Sequence, residues 1–176
     1  MAASGTAGMP VRVWDLIAPP GTVNETRIVV ATLRQLGYRA SLRLLPESTY
    51  FAYTLDSRNR AQVIEGGWGA DYASANTFIG KLACSYFVPS TGPATTDGSE
   101  FCDPALDRQI TRAAALQATD PRAAATRWAQ LDRRLTDQAV FLPTVTPNEV
   151  DLLSRRVGNY EYNPVWGVLV DQLRVG

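Results

Sequence analysis

"VRVWDLIAPPGTVNETRIVVATLRQLGYRASLRLL", residues 11–45, decides the architecture. Its first seven residues are rich in β-branched and aromatic side chains and run into the Pro19-Pro20-Gly21 breaker, so 11–17 reads as a strand. From residue 24 to residue 36, apolar side chains at 28, 29, 33 and 36 fit one face of a helix, and Gly37 stands where such a helix stops. "YRASLRLL" (38–45) reads as a second strand. Strand, helix, strand in about 35 residues is a βαβ unit, and its crossover favours parallel pairing. "STYFAYTLDS" (48–57) reads as a second short helix and "AQVIEGGW" (61–68) as a third strand. The expectation is an α/β domain.

The second half is patterned differently. Residues 85–104 form a long irregular section, after which Asp103-Pro104 opens a helix through about Gln117. Asp120 is a capping residue with Pro121 at the first helical position of the next helix. Ala124, Trp128, Leu131 and Leu135 give that helix a stripe spaced by three and four, while Arg122, Arg127, Asp132 and Arg133 belong to its solvated side. Trp128 is therefore a core residue. "VFLPTV" (140–145) reads as a buried strand, with Pro143 pointing to an edge or a strand end. The tail, 150–176, holds the short apolar segments "VDLLS" and "GVLVDQL" separated by "GNYEYNPVWG".

Composition narrows the function. At 176 residues and 45% hydrophobic the chain can bury one domain's core. Its 17 basic and 17 acidic residues cancel, so no strong field points to nucleic acid or to an anionic membrane. No run of 18 apolar residues exists to span a bilayer. With no histidine, Ser-His-Asp and Cys-His catalytic arrangements are excluded, and two cysteines cannot assemble a Cys/His zinc site. Asp71, Asp97, Asp103 and Asp107 are the aspartates from which an acid/base pair could be drawn, but with no histidine and no glycine-flanked serine the residue types point away from an enzyme. The opening "MAASGTAGMP" lacks the basic stretch and apolar core of a signal peptide and reads as an abrupt start inside a longer protein.

Within this frame "EGGWGADYASANTF" (65–78) stands out, because it sets Trp68, Asp71 and Tyr72 on backbone loosened by glycines at 66, 67 and 69. Those glycines do not fit dinucleotide or phosphate-loop spacings, and no lysine follows them directly. Two readings stay open: a wall for a ligand, or a core tryptophan beside a turn capped by Asp71. Cys84 and Cys102, 18 positions apart, leave two readings as well. Bonded, they would close a loop poor in apolar residues, contribute about 3 kcal/mol on the chain-entropy model and indicate an oxidising compartment; otherwise they are free thiols.

Taken in order, these segments carry a resemblance. "LRQLGYRASLRLL", "GGWGADYASANTF", "FCDPALDRQITRAAALQATDPRAAATRWAQLDRRLTDQAVFLPTV" and "SRRVGNYEYNPVWG" are similar to successive landmarks of the family 5 extracellular solute-binding proteins, the oligopeptide- and dipeptide-binding components of ABC importers. The likeness covers nearly the whole chain and is nearest an actinobacterial subgroup that carries both cysteines. It implies a periplasmic-binding-protein-like (type II) lobe with a mixed, mainly parallel sheet flanked by helices. It also implies a Cys84–Cys102 disulfide and no cofactor.

A full member of that family has two lobes closing over a solute and is roughly three times this length. The resemblance thus makes 11–149 the second lobe, 1–10 a hinge or truncation segment, and 150–176 a tail returning to an absent first lobe. In peptide-binding members the aspartate of Trp-x-x-Asp-Tyr receives the ligand's amino group. Carried over, that residue is Asp71, with Trp68 and Tyr72 beside it, Gly67 and Gly69 allowing close approach, and Asn76 completing the set. Ala73-Ser74-Ala75 departs from the family's usual Asp-Pro continuation, which loosens the expected turn. The implied partners are a peptide-like solute and an ABC permease in an extracytoplasmic, cell-surface lipoprotein, with no membrane insertion and no nucleic acid. The alternative is a sensor lobe fused to a cytoplasmic transcriptional regulator.

Overall fold

The computed structural model describes residues 5–17, 24–87, 98–145, 148 and 150–176. The Pro19-Pro20-Gly21 breaker and much of the irregular section, Asp97 included, lie outside them.

The βαβ unit forms as its pattern requires. Strand β1 (Pro10–Leu16), helix α1 (Asn24–Gln35) and strand β2 (Arg39–Leu45) are followed by helix α2 (Glu47–Thr54) and a short strand β3 (Val63–Ile64). The sheet is parallel, in the order β2-β1-β3, with Val13 opposite both Leu42 and Val63. Side chains alternate along β1, so its two faces take different partners. Val13 packs with Val30 of α1 and with Ala40, while the ring of Trp14 lies 4.8 Å from that of Tyr53 on α2. The sheet is thus covered by α1 on one face and α2 on the other.

Gly37 ends α1 in the left-handed conformation, φ 91°. Its N–H bonds the carbonyl of Arg34, and the N–H of Tyr38 bonds that of Leu33. A residue with a Cβ would be strained there.

Three expectations change in detail. The helix expected at 48–57 starts at Glu47 and stops at Thr54, because Asp56 accepts the N–H of Arg58 and opens a separate turn. The third strand is two residues long; only the Glu65 N–H continues the pairing, to the carbonyl of Trp14, before the glycine run leaves the sheet. Residues 140–145 form no strand. Val140 and Phe141 pack against the helical core, whereas Leu142 and Val145 are exposed. The apolar run that suggested a strand completes a helix layer, and Pro143 has no N–H to offer a sheet.

That layer is the second core. Helices α3 (Asn76–Ile79), α4 (Pro104–Thr119) and α5 (Pro121–Asp137) bring together Ile79, Leu106, Ile110, Ala113, Ala124, Trp128, Leu131 and Leu135. Asp103 caps α4 through the N–H of Ala105, and Asp120 caps α5 through that of Ala123. Trp128 is buried within the layer, as its place in the stripe predicts. The tail folds into two small antiparallel ladders. In one, β4 (Val157–Gly158) pairs with β7 (Arg174–Val175); in the other, β5 (Tyr162–Asn163) pairs with β6 (Gly167–Val168). Leu152 (93% exposed) and Trp166 (63%) face outward from it.

Candidate functional site

The chain is pinned where it leaves the sheet. Buried Tyr50 donates its phenol to the carbonyls of Trp14 (3.1 Å) and Glu65 (2.6 Å). Burial, then the nearby charges of Glu65 and Asp15, pushes the Tyr50 phenol well above its usual range. Glu65 is itself raised, first by burial and then by Asp15 and Glu25, so the carboxyl end of β1 and β3 is crowded with negative charge.

Beyond this anchor, Gly66 to Gly69 run along the surface. A Cβ built at Gly66, Gly67 or Gly69 would meet nothing within 4 Å. No contact among the described residues therefore demands glycine at these positions. Trp68 is 48% exposed and does not belong to either core.

Asp71 is held by the helix that follows. Its N–H donates to Thr77 Oγ1 at 2.9 Å, and the Thr77 hydroxyl donates back to Asp71 Oδ2 at 3.0 Å. The indole N–H of Trp68 reaches the same oxygen at 3.2 Å. Lys81 Nζ stands 3.9 Å from it, 4.4 Å from the centre of the Trp68 ring and 5.2 Å from that of Tyr86. Beside this group, the Asn76 amide donates to the Tyr72 phenol at 2.8 Å. Trp68, Asp71, Tyr72 and Asn76 are thus brought together, with Gly67 and Gly69 on either side of the indole.

The turn at Ala73-Ser74-Ala75 is tied down, contrary to the looseness its sequence suggested. Ser74 Oγ accepts the N–H of Asn76 and donates to Gln117 Oε1 at 2.7 Å, and the same oxygen accepts the buried Trp128 indole at 3.2 Å. One glutamine on α4 therefore couples the turn to the helical core. A groove of about 540 Å³ between this turn and α5 is lined by Ala73, Phe78, Gln117, Ala124 and Trp128.

Cys84 and Cys102 are bonded, with their Cα atoms 4.6 Å apart. The disulfide fastens the turn after Lys81 to the start of α4, where the Cys84 N–H also meets Asp107 Oδ1 at 3.0 Å. At the same helix end Asp103 takes the guanidinium of Arg134 at 2.8 Å. The segment that sets the Lys81 ammonium over the rings of Trp68 and Tyr86 is thereby fastened to the helical core.

Sequence reasoning missed Thr77, Lys81, Tyr86 and Gln117. For the first two there was a signal: they are four positions apart in a segment opening with a helix, the spacing that puts side chains on one face. Gln117 and Tyr86 arrive from elsewhere in the chain and left none.

Chemically, the site is a surface. It offers a carboxylate, an ammonium, an amide and a phenol, with Trp68, Tyr72 and Phe78 each about half exposed. Among the described residues no three acidic or cysteine side chains are grouped to hold a metal ion, and no described helix is long and apolar enough to cross a membrane.

Solved structures share this fold over nearly the whole chain. "Clavulanic acid biosynthesis oligopeptide binding protein 2" superposes with a TM-score of 0.82 at 22% identity, over 99% of this chain and 32% of that one. The periplasmic binding protein DppA from Helicobacter pylori, in complex with the peptide STSA, gives 0.73 at 18% identity, over 99% and 32%. The fold is that of a periplasmic-binding-protein-like lobe. A dipeptide-binding protein from Pseudoalteromonas sp. SM9913, in complex with Met-Leu, gives 0.67 at 17% identity, over 96% and 32%. The lobe therefore spans about a third of the length of these structures. No family model matches the chain, and no curated protein matches it.

Proposed function

We propose that this chain is the second lobe of a family 5 solute-binding protein, serving an ABC importer and holding a peptide-like solute in a cleft shared with a first lobe. The observation that carries the reading is the end-to-end likeness to a third of several peptide-binding proteins, with Trp68 and Asp71 exposed on a wall that the lobe itself leaves uncovered. The role is binding and not catalysis, extracytoplasmic, with the disulfide suited to an oxidising compartment.

Asp71 is the polar centre of the wall, Trp68 and Tyr72 supply its aromatic surface, and Gly67 and Gly69 let a solute approach the backbone. Asn76 orients Tyr72. The tail at 150–176 returns to the first lobe, which accounts for the outward-facing Leu152 and Trp166.

The test is a thermal-shift and calorimetric screen of the intact polypeptide against di- to pentapeptides. Peptides are expected to stabilise it, and Asp71→Asn is expected to weaken binding about tenfold or more while leaving the apo melting temperature within a few degrees. Stabilisation by another solute class alone would sink the peptide assignment. An equal loss of apo stability would make Asp71 structural.

A further inference from the structure

Lys81 is the chain's single lysine; every other of its 17 basic residues is arginine. It stands against Asp71, 3.9 Å from Oδ2, with its ammonium also over the rings of Trp68 and Tyr86. It is the more enclosed partner, its side chain 29% exposed against 51% for Asp71. Thr77 at one end of its segment and the Cys84–Cys102 bond at the other hold the backbone that carries it. An ammonium so placed makes an ion pair with the carboxylate and a cation–π contact with the indole face together.

The Trp68 and Thr77 hydrogen bonds and the Lys81 contact all fall on the same oxygen of Asp71. A second ammonium arriving there would share one negative charge with Lys81 and stand close to a like charge. We infer that Lys81 sets the specificity of this wall: it fills the place beside Asp71 that a solute's free amine would take. The wall then receives solutes with no ammonium at that end, namely peptide-like amides whose amino terminus is acylated or cyclised. A neutral acyl or ring group suits the half-exposed faces of Trp68, Tyr72 and Phe78. This inference rests on the wall being part of a solute cleft.

The experiment compares matched di- to pentapeptides with free and with acetylated amino termini, by calorimetry on the intact polypeptide. It uses wild type, Lys81→Met, which keeps the chain length and drops the charge, and Lys81→Gln should the methionine variant not fold. Wild type is expected to bind the acetylated series about tenfold more tightly than the free series. Either variant is expected to erase or invert that preference. A wild type that favours free amines, or a preference unaltered in the variants, overturns this inference while leaving the solute-binding reading intact. Binding of neither series by wild type removes the solute-binding reading and this one with it.

Discussion

The phenol of Tyr50 joins two strands by donating to the carbonyl of Trp14 on β1 and to that of Glu65 just past β3. The Trp14 carbonyl also accepts the Glu65 N–H at 2.9 Å, so it keeps a partner without the phenol. Glu65 sits one residue before the glycine run that carries Trp68. A side chain on α2 therefore fixes where the candidate wall departs from the sheet.

Tyr50→Phe keeps the ring and deletes the donor, leaving the Glu65 carbonyl short of a partner. The expected cost is about 1–3 kcal/mol by denaturant unfolding. A pH signature accompanies it. Because the folded phenol titrates above its unfolded value, its stabilising contribution is complete below about pH 10 and declines as pH rises further. Wild type should lose stability more steeply than Tyr50→Phe in that range. Parallel curves would show that the phenol does not titrate with unfolding.

Glu65 works in the opposite practical sense at neutral pH. Its folded carboxyl titrates higher than in the unfolded chain, so the native state favours the protonated form, and stability from this group fades as pH rises through that raised range. Glu65→Gln removes the charge that Asp15 and Glu25 oppose. The variant should be more stable than wild type at pH 7 by up to about 1 kcal/mol, a modest value because partial exposure screens the charges. The gain should vanish near pH 4. Thermal melts at the two pH values check this, and a destabilised variant at pH 7 would count against it.

Two glycines should behave oppositely. At Gly98 a Cβ would lie 2.3 Å from Ile64 Cδ1 and 3.1 Å from Leu55 Cδ2, so Gly98→Ala must displace both. Overpacking of this kind costs about 1–3 kcal/mol, here toward the low end because both contacts are side-chain ends. Gly67→Ala meets open space and should change stability by less than about 0.5 kcal/mol. In the intact polypeptide the same Gly67→Ala change should weaken solute binding. Unchanged affinity would remove Gly67 from the wall.

Reducing the Cys84–Cys102 bond, or replacing both cysteines by serine, should cost about 3 kcal/mol on the chain-entropy model. The loss should also loosen Lys81 from the Trp68 ring. Tryptophan fluorescence is a direct readout, and Trp68 emission should shift to the red well before global unfolding. A shift that coincides with unfolding would mean that the bond stabilises the lobe without positioning the wall.

Local pattern made much of this legible. The period of α1, the cap at Asp120 and the stop at Gly37 are set by neighbours within four residues, so the residues that specify them lie together in the sequence. The run at 140–145 misled for a related reason. A short apolar segment has the same composition whether it pairs in a sheet or closes a helix layer, and only the partner distinguishes the two. Here the partners of Val140 and Phe141 are the α4 and α5 core.

The sequence by itself determined the parallel βαβ unit, the two capped helices and the grouping of Trp68, Asp71, Tyr72 and Asn76 within nine residues. Tertiary structure decided what that grouping faces. Gln117 reaches the turn from 43 positions away, and the disulfide across 18 residues holds the segment of Lys81 and Tyr86 in place. Whether a carboxylate is open or already answered by an ammonium depends on distances of a few ångströms between side chains, which packing sets and spacing along the chain does not.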